Sequence, residues 1–317
     1  MTKTHHFPSL DQLDIQLIAE LETDTRQTYK DLAAKLGVDR STIMNRMHRL
    51  IDGDVIKTVC RAAPLSLGYK FIVFFAIDVH PGWGSDVADS LAANARVLTV
   101  HLCTGHFNVV AWALFRTGDD LSDFLSNELK PIPGVLHVET ILTLEEIKVL
   151  PRLLTAGKEP RRLESPAKDL VKLDDMDLEL IKELQRDARQ TSSQLGRKLG
   201  VNQSTIFRRM QRLMDEHVIQ IGTYTNPFAL GYECVATIGL KCCLGKAREV
   251  ADAIASYNQV QYVNICAGRY DISAWVVFPR LSDLSHFINV EISNISGLRD
   301  TETVIYYRQV KLSQQFT

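Results

Sequence analysis

The sequence predicts an α+β protein built twice over: two copies of a three-helix domain, each followed by a β-α-β-β-α-β layer of helices on a sheet. Three observations predict it. The chain repeats itself at a spacing of 163 residues, the apolar period inside each copy switches from helical to strand-like, and glycines stand at the same turns of both copies. Sliding the chain by 163 residues superposes its halves without a gap: Asp14 falls on Asp177, Gly37 on Gly200, Gly105 on Gly268, Trp112 on Trp275 and Gly134 on Gly297. Over positions 13–56, 24 of 44 aligned pairs are identical, far beyond coincidence.

The repeat sets the expected domains: three-helix domains over 1–61 and 169–224, α+β domains over 62–150 and 225–317, and a linker over 151–168. That linker holds three prolines and five Lys/Arg against two Glu, which reads as an exposed, semi-stiff connection; the alternative is a loop inside one domain.

Composition bounds the rest. The 317 residues are 45% hydrophobic and 23% charged, an ordinary globular balance that excludes disordered and fibrous classes. With 36 Lys+Arg against 38 Asp+Glu, the net charge of −2 excludes a basic coat over the whole molecule but leaves room for a basic face on one element. The apolar run from Phe71 to Ile77 falls far short of the ~18–20 residues that span a bilayer. The N-terminal stretch lacks the apolar core of a secretory signal, so no membrane partner and a cytoplasmic location are expected. The six cysteines form no CxxC pair, so reduced thiols are expected, with no disulfide framework, zinc site or other cofactor.

Each element can be justified in order. Leu10, Leu13, Leu17, Ile18 and Leu21 recur at the spacing of an amphipathic helix, as do Leu173, Met176, Leu180, Ile181 and Leu184. Thr191 to Gln194 fits a capping box and Thr28 to Asp31 resembles one, each opening a short second helix. Gly37 and Gly200 end those helices, where a left-handed residue is wanted. Asp39 and Asn202 are N-caps for a third helix running to about Ile51 and Met214. Apolar strand patterns follow, interrupted by helices near Ser85–Ala95 and Asp119–Leu129, in the order β-α-β-β-α-β of a ferredoxin-like sandwich.

Helix, short helix, glycine turn and helix form a helix-turn-helix pattern. At 100° per residue, Ile43, Met47 and Leu50 face inward, as do Ile206, Met210 and Leu213. The candidate DNA-binding residues on the open side are Arg40, Ser41, Thr42, Asn45, His48 and Arg49 in copy one, and Gln203, Ser204, Thr205, Arg208, Gln211 and Arg212 in copy two. Asn and Gln pair with adenine and Arg with guanine, while cationic side chains bind phosphate. A polar outer face is also what any solvated helix shows, and Arg46 and Arg209, at the flank of the buried stripe, read either as DNA contacts or as structural ion-pair partners.

The segments from Leu10 to Thr58 and from Lys172 to Gln220 resemble the N-terminal domain of the Lrp/AsnC (feast/famine) transcriptional regulators. The following halves resemble that family's effector and oligomerisation domain, with its turn signature at Thr104–Asn108 and Ala267–Asp271. The resemblance implies a non-enzymatic regulator that binds double-stranded DNA, responds to a small effector such as an amino acid, and forms homo-oligomers. It departs in carrying two copies in one chain. It implies an effector-binding turn at Gly268, Arg269, Tyr270 and Asp271, with Thr303 nearby, and in copy one Gly105, Phe107 and Asn108. A carboxylate such as Asp271 suits an ammonium group, whereas Asn108 is neutral, so copy two is expected to be the better amino-acid site. The alternative is an enzyme resembling the siroheme decarboxylases, which share the architecture and need histidines and arginines around a tetrapyrrole. His101, His106, His137 and His286 do not fall at ligand spacings and are expected at turns or on the surface; Cys103 and Cys266 are expected to be buried and inert.

Overall fold

The computed structural model describes residues 7–149, 153–155 and 171–313. The first copy opens with α1 (Gln12–Thr23), α2 (Tyr29–Leu36) and α3 (Arg40–Asp52), followed by β1 (Ile56–Ala62). Its sandwich runs β2 (Phe71–Val79), α4 (Gly84–Ala93), β3 (Val97–Thr104), β4 (Val109–Phe115), α5 (Gly118–Asp123) and β5 (Val135–Val149). The second copy repeats this as α6 (Asp175–Arg186), α7 (Ser192–Leu199), α8 (Gln203–Asp215) and β6 (Ile219–Thr225). Its sandwich is β7 (Cys234–Cys242), α9 (Ala247–Ala255), β8 (Val260–Ala267), β9 (Ile272–Phe278), α10 (Leu281–His286) and β10 (Leu298–Leu312). The expected fold class and element order are therefore those observed.

Local chemistry explains the helices. Asp11 caps α1 and Asp174 caps α6, each in a reciprocal capping box with the aspartate three residues on. Gly37 and Gly200 close α2 and α7 at φ 67° and 70°, a conformation glycine adopts without a Cβ clash. Asp39 and Asn202 stand at the N-cap positions of α3 and α8, but neither side chain makes a capping bond. Those helices start on their backbone geometry and on the packing of Ile43 and Ile206 beneath them.

Sequence repeat becomes pseudo-symmetry in space. Each sandwich has strand order β3-β4-β2-β5 or β8-β9-β7-β10, and the two sheets join edge to edge into a closed eight-stranded barrel. β5 pairs with β8 from Leu142–Ala267 to Val149–Tyr262, and β10 pairs with β3 from Ile305–Thr104 to Leu312–Thr99. Closure leaves no free edge in this sheet. It also explains why β2 is apolar throughout: Val73, Phe75 and Ile77 pack under α4, while Phe74 and Ala76 point into the barrel with Tyr306, Val235 and Val277.

The three-helix domains are exchanged over a second, two-stranded sheet. β1 and β6 pair antiparallel from Ile56–Thr225 to Ala62–Ile219. Cys60 and Ala62 of β1 enter the core of α6 to α8, beside Leu180, Ile181 and Leu213. In return, α1 rests on β6: the hydroxyls of Thr25 and Thr223 bond at 2.9 Å, and Thr225 donates to Glu22 at 2.9 Å. The expected exposed linker is corrected at its first described part. Leu153, Leu154 and Thr155 donate their backbone N–H groups to the Glu22 carboxylate at 2.9–3.1 Å, and Leu153 and Thr155 are buried. The rest of the linker lies outside the described residues.

Candidate nucleic-acid interface and effector turns

The third helix of each head is held from below by a charged clamp. Asp14 is buried in α1; it receives Arg46 Nη1 at 2.8 Å and a shorter bond from Arg49, while Arg46 also reaches Asp11 at 2.6 Å. The second head repeats the device: Arg209 reaches Asp174 at 2.8 Å and Asp177 at 2.7 Å, and Arg212 also closes on Asp177. The Arg46 bond holds the Asp11 carboxyl below the ordinary carboxylate range, and the Arg46 guanidinium is stabilised in turn. Arg46 and Arg209 thus take the ion-pair role left open in the sequence. Arg49 and Arg212 also pair with α1 and α6, yet both stay exposed to solvent.

Open on the outer faces are Arg40, Ser41, Asn45, His48 and the ion-paired Arg49 in α3, and Gln203, Ser204, Arg208, Gln211 and the ion-paired Arg212 in α8. Thr42 and Thr205 are half-buried. Two residues passed over as candidates join them: Met44 is 40% and Phe207 is 58% exposed on the same faces. Large apolar side chains left in water on a polar helix are the signal that identifies them; such groups can meet a thymine methyl.

The effector turns lie at one end of the barrel, each packed on the other copy. Gly105 (φ 123°) sits against the Thr303 carbonyl of β10, and Gly268 (φ 134°) against the Thr140 carbonyl of β5. At Gly268 a Cβ would lie 2.9 Å from that oxygen, so the approach requires glycine. Arg269 bridges the halves, meeting Glu139 at 2.7 Å and Glu302 at 2.8 Å, with Phe107 5.4 Å beneath it. Against burial, which acts to raise it, the Arg269 bond holds the Glu302 carboxyl below its usual range. Asp271 accepts the Cys242 N–H at 2.7 Å, and its counterpart Asn108 accepts the Val79 N–H at 3.0 Å. The two side chains do the same work, fastening the turn to the end of the neighbouring strand, although one is charged. Tyr270 and Phe107 are buried.

His101 overturns its expected place on a turn or surface. It is 6% exposed, stacked on Tyr306 at 4.5 Å, and burial lowers its pKa to about 4. Burial likewise pushes the Cys103 thiol up to about 12 and raises that of Cys266, leaving both poor nucleophiles. His106, His137 and His286 are exposed.

Comparison with known proteins fits this architecture. The Lrp/AsnC ligand binding domain matches residues 72–153 and 235–316, and the AsnC-type helix-turn-helix domain matches 10–51 and 173–214. An uncharacterized HTH-type transcriptional regulator of Pyrococcus abyssi is 36% identical over 136 residues, covering 43% of this chain and 86% of that protein. The HTH-type transcriptional regulator LrpA of Pyrococcus horikoshii is 29% identical over 140 residues, covering 44% of this chain and 99% of its own. Each relative therefore accounts for one copy. Among solved structures, the siroheme decarboxylase NirDL superposes on 96% of this chain and 94% of its own with a TM-score of 0.63; at 12% identity this is a likeness of fold. None of the described helices is long and apolar enough to cross a membrane. With both domain types matched twice, in the order the structure shows, the chain belongs to the Lrp/AsnC family as a tandem form carrying two helix-turn-helix and two ligand-binding domains.

Proposed function

We propose that this chain is a sequence-specific DNA-binding transcriptional regulator whose two heads read different half-sites, and whose DNA affinity responds to an amino acid or similar small metabolite. One observation carries the reading. On each third helix one arginine, Arg46 or Arg209, is clamped inward, while a set of side chains stands open, and the open sets differ between the heads. Dimeric helix-turn-helix proteins place two recognition helices about 34–36 Å apart along the duplex, and their operators mirror the protein's symmetry. Here the barrel and the β1–β6 ribbon join two heads in one polypeptide, a built-in pseudo-dimer. Arg208 suits a guanine, whereas Asn45 in the same position of the first head suits an adenine. Further association of whole chains, through the outer faces of the sandwiches, accords with the family's oligomers.

Selection of binding sites from a random duplex library tests this directly. The expected site is a related but asymmetric pair of half-sites; a perfect palindrome recovered with a single bound chain overturns it. Gel shifts with Arg208→Ala against wild type complete the test, since a metabolite-binding module without DNA activity shows no salt-sensitive attachment in either form.

The competing reading is an enzyme acting on a tetrapyrrole, favoured by the fold likeness over the full chain. Titration with siroheme discriminates: a saturable Soret shift supports the enzyme, and its absence leaves the regulator.

A further inference from the structure

The barrel encloses a cavity of about 160 Å³, at the pseudo-twofold axis and beneath the ribbon that carries the heads. An engineered cavity of ~150 Å³ holds a benzene molecule, so this one has room for one six-membered ring with a small substituent. Its walls come in pairs related by the 163-residue repeat: Trp112 with Trp275, His101 with Asn264, Thr99 with Tyr262, and Arg61 with Tyr224. The two tryptophans are the same in both copies, and they supply flat apolar surface. The polar members differ. Arg61 pairs with Glu146 at 2.5 Å on one side, and on the other Tyr224 donates to Gln309 at 3.2 Å. A ligand entering this space meets two unlike walls and has a single best orientation.

Three residues that line the cavity each carry a buried polar atom without a hydrogen-bond partner among the described residues: His101 Nδ1, Asn264 Oδ1 and Thr99 Oγ1. A buried polar atom left without a partner is costly, and such groups in a folded protein call for a specific occupant. Burial holds His101 neutral, and a neutral imidazole carries one lone-pair acceptor nitrogen. Asn264 Oδ1 is an acceptor as well, and the Thr99 hydroxyl can donate. Two acceptors and one donor, between indole faces, are the complement of a planar aromatic ring carrying a primary amide: two N–H donors and one carbonyl oxygen on a flat apolar body.

We propose that this cavity is a small-molecule binding site, distinct from the glycine turns, for a single aromatic ring bearing a primary amide, held by His101, Asn264 and Thr99 between Trp112 and Trp275. The inference stands on the cavity alone and holds whether or not the heads bind DNA. Its position gives it a route to them. Arg61, Ala62 and Tyr224 of the β1–β6 ribbon line the same cavity, and Ala62 is also part of the core of the second head. A ligand that presses on these residues bears on both heads through the element they share.

The test uses the full chain and nicotinamide as the probe, with toluene as the apolar control of like size. Calorimetry and tryptophan fluorescence, to which Trp112 and Trp275 report, are expected to show saturable binding of one nicotinamide per chain. His101→Leu and Asn264→Leu, each verified as folded by circular dichroism, are each expected to weaken it at least tenfold. In the wild-type protein, the His101 Nδ1 resonance is expected to shift on titration, a reading that needs no variant. The proposal is overturned if nicotinamide does not bind, if toluene binds as tightly, if both variants bind unchanged, or if the His101 resonance stays fixed at saturation.

Discussion

In the first copy Arg46 and Arg49 close on Asp14, and in the second Arg209 and Arg212 close on Asp177, with nearly the same distances and burial. One residue away on the same helices the copies part: Asn45 stands where the second has Arg208, His48 where it has Gln211, and Met44 where it has Phe207. The barrel shows the same division. Trp112 and Trp275 match, while His101 faces the space that Asn264 faces from the other side. The clamp that holds each third helix is kept in register between copies, while several polar side chains that face the open groove or the cavity differ. Duplication within one chain permits this, because each wall can change alone, which two copies of a single-unit chain cannot do.

The comparison is broken most forcefully at the clamp. Replacing Arg209 and Arg212 by methionine strands the Asp177 carboxylate, which is 1% exposed. Leaving a buried charge without a partner costs about 3–5 kcal/mol, so thermal unfolding of the second head is expected to move down sharply. The same pair of changes at Arg46 and Arg49 should cost as much in the first head. Equal stability of wild type and variant would show that these pairs do not hold the helices. Arg208→Ala, on the open face, is expected to leave the unfolding temperature nearly where it was.

Acid separates the copies next. His101 titrates and Asn264 does not, so at this pair of cavity positions sensitivity to pH belongs to the first copy. The folded ring has a pKa of about 4 against 6.5 unfolded, because burial disfavours its charged form. The stability this group contributes is complete above the unfolded value and drains away as pH falls from 6.5 towards 4. A shift of that size corresponds to about 3 kcal/mol at the acid limit. Denaturant unfolding of His101→Asn, which gives the first copy the residue of the second, should show a smaller loss between pH 7.5 and 4.5 than wild type. Parallel pH profiles would remove His101 as the cause.

DNA contact ranks third. Arg208→Ala is expected to lower the slope of log affinity against log salt by about 1 if Arg208 meets a phosphate. If it reads guanine instead, the change costs about 1–3 kcal/mol at one base pair and relaxes selection there. Salt titrations on matched and mismatched duplexes tell the two apart, and an unchanged affinity on both would take Arg208 out of the interface.

Much of this was legible in the sequence, and physical reasons set the limit. The helices, their caps and the alternation of strands follow from local periodicity, so Leu17, Ile43 and Ile206 declare their faces at a distance of a few residues. The barrel does not, because the pairing of β5 with β8 and β10 with β3 joins residues over a hundred positions apart, and an edge strand looks the same whether it meets solvent or a partner. For the same reason His101 and Leu153 were misplaced, since a lone histidine or leucine carries no mark of the distant surface that covers it. The angle on the helix puts Arg49 and Arg212 on the exposed side, where they are found, but does not show their ion pairs. A long side chain can leave the direction of its own Cβ, and a buried aspartate 35 residues earlier is what it meets. Met44 and Phe207 are visible in the sequence, but an apolar side chain among polar ones carries no mark of whether it meets the core, water or a partner.

The finest test exchanges the open face without touching the clamp. Gln203→Arg, Phe207→Met, Arg208→Asn and Gln211→His together give α8 the outward residues of α3 at these four positions. All four are exposed, so stability is expected to stay within about 0.5 kcal/mol. The recognition chemistry should change nonetheless: sites selected from a random library are expected to move from an asymmetric pair towards an inverted repeat of the first head's half-site. The shift requires that the heads reach the duplex in equivalent poses, which the pseudo-symmetric clamp and ribbon provide. An asymmetric site that persists after the exchange would place the source of asymmetry in the frame between the heads, and the outer faces would then carry less of the sequence reading than their divergence suggests.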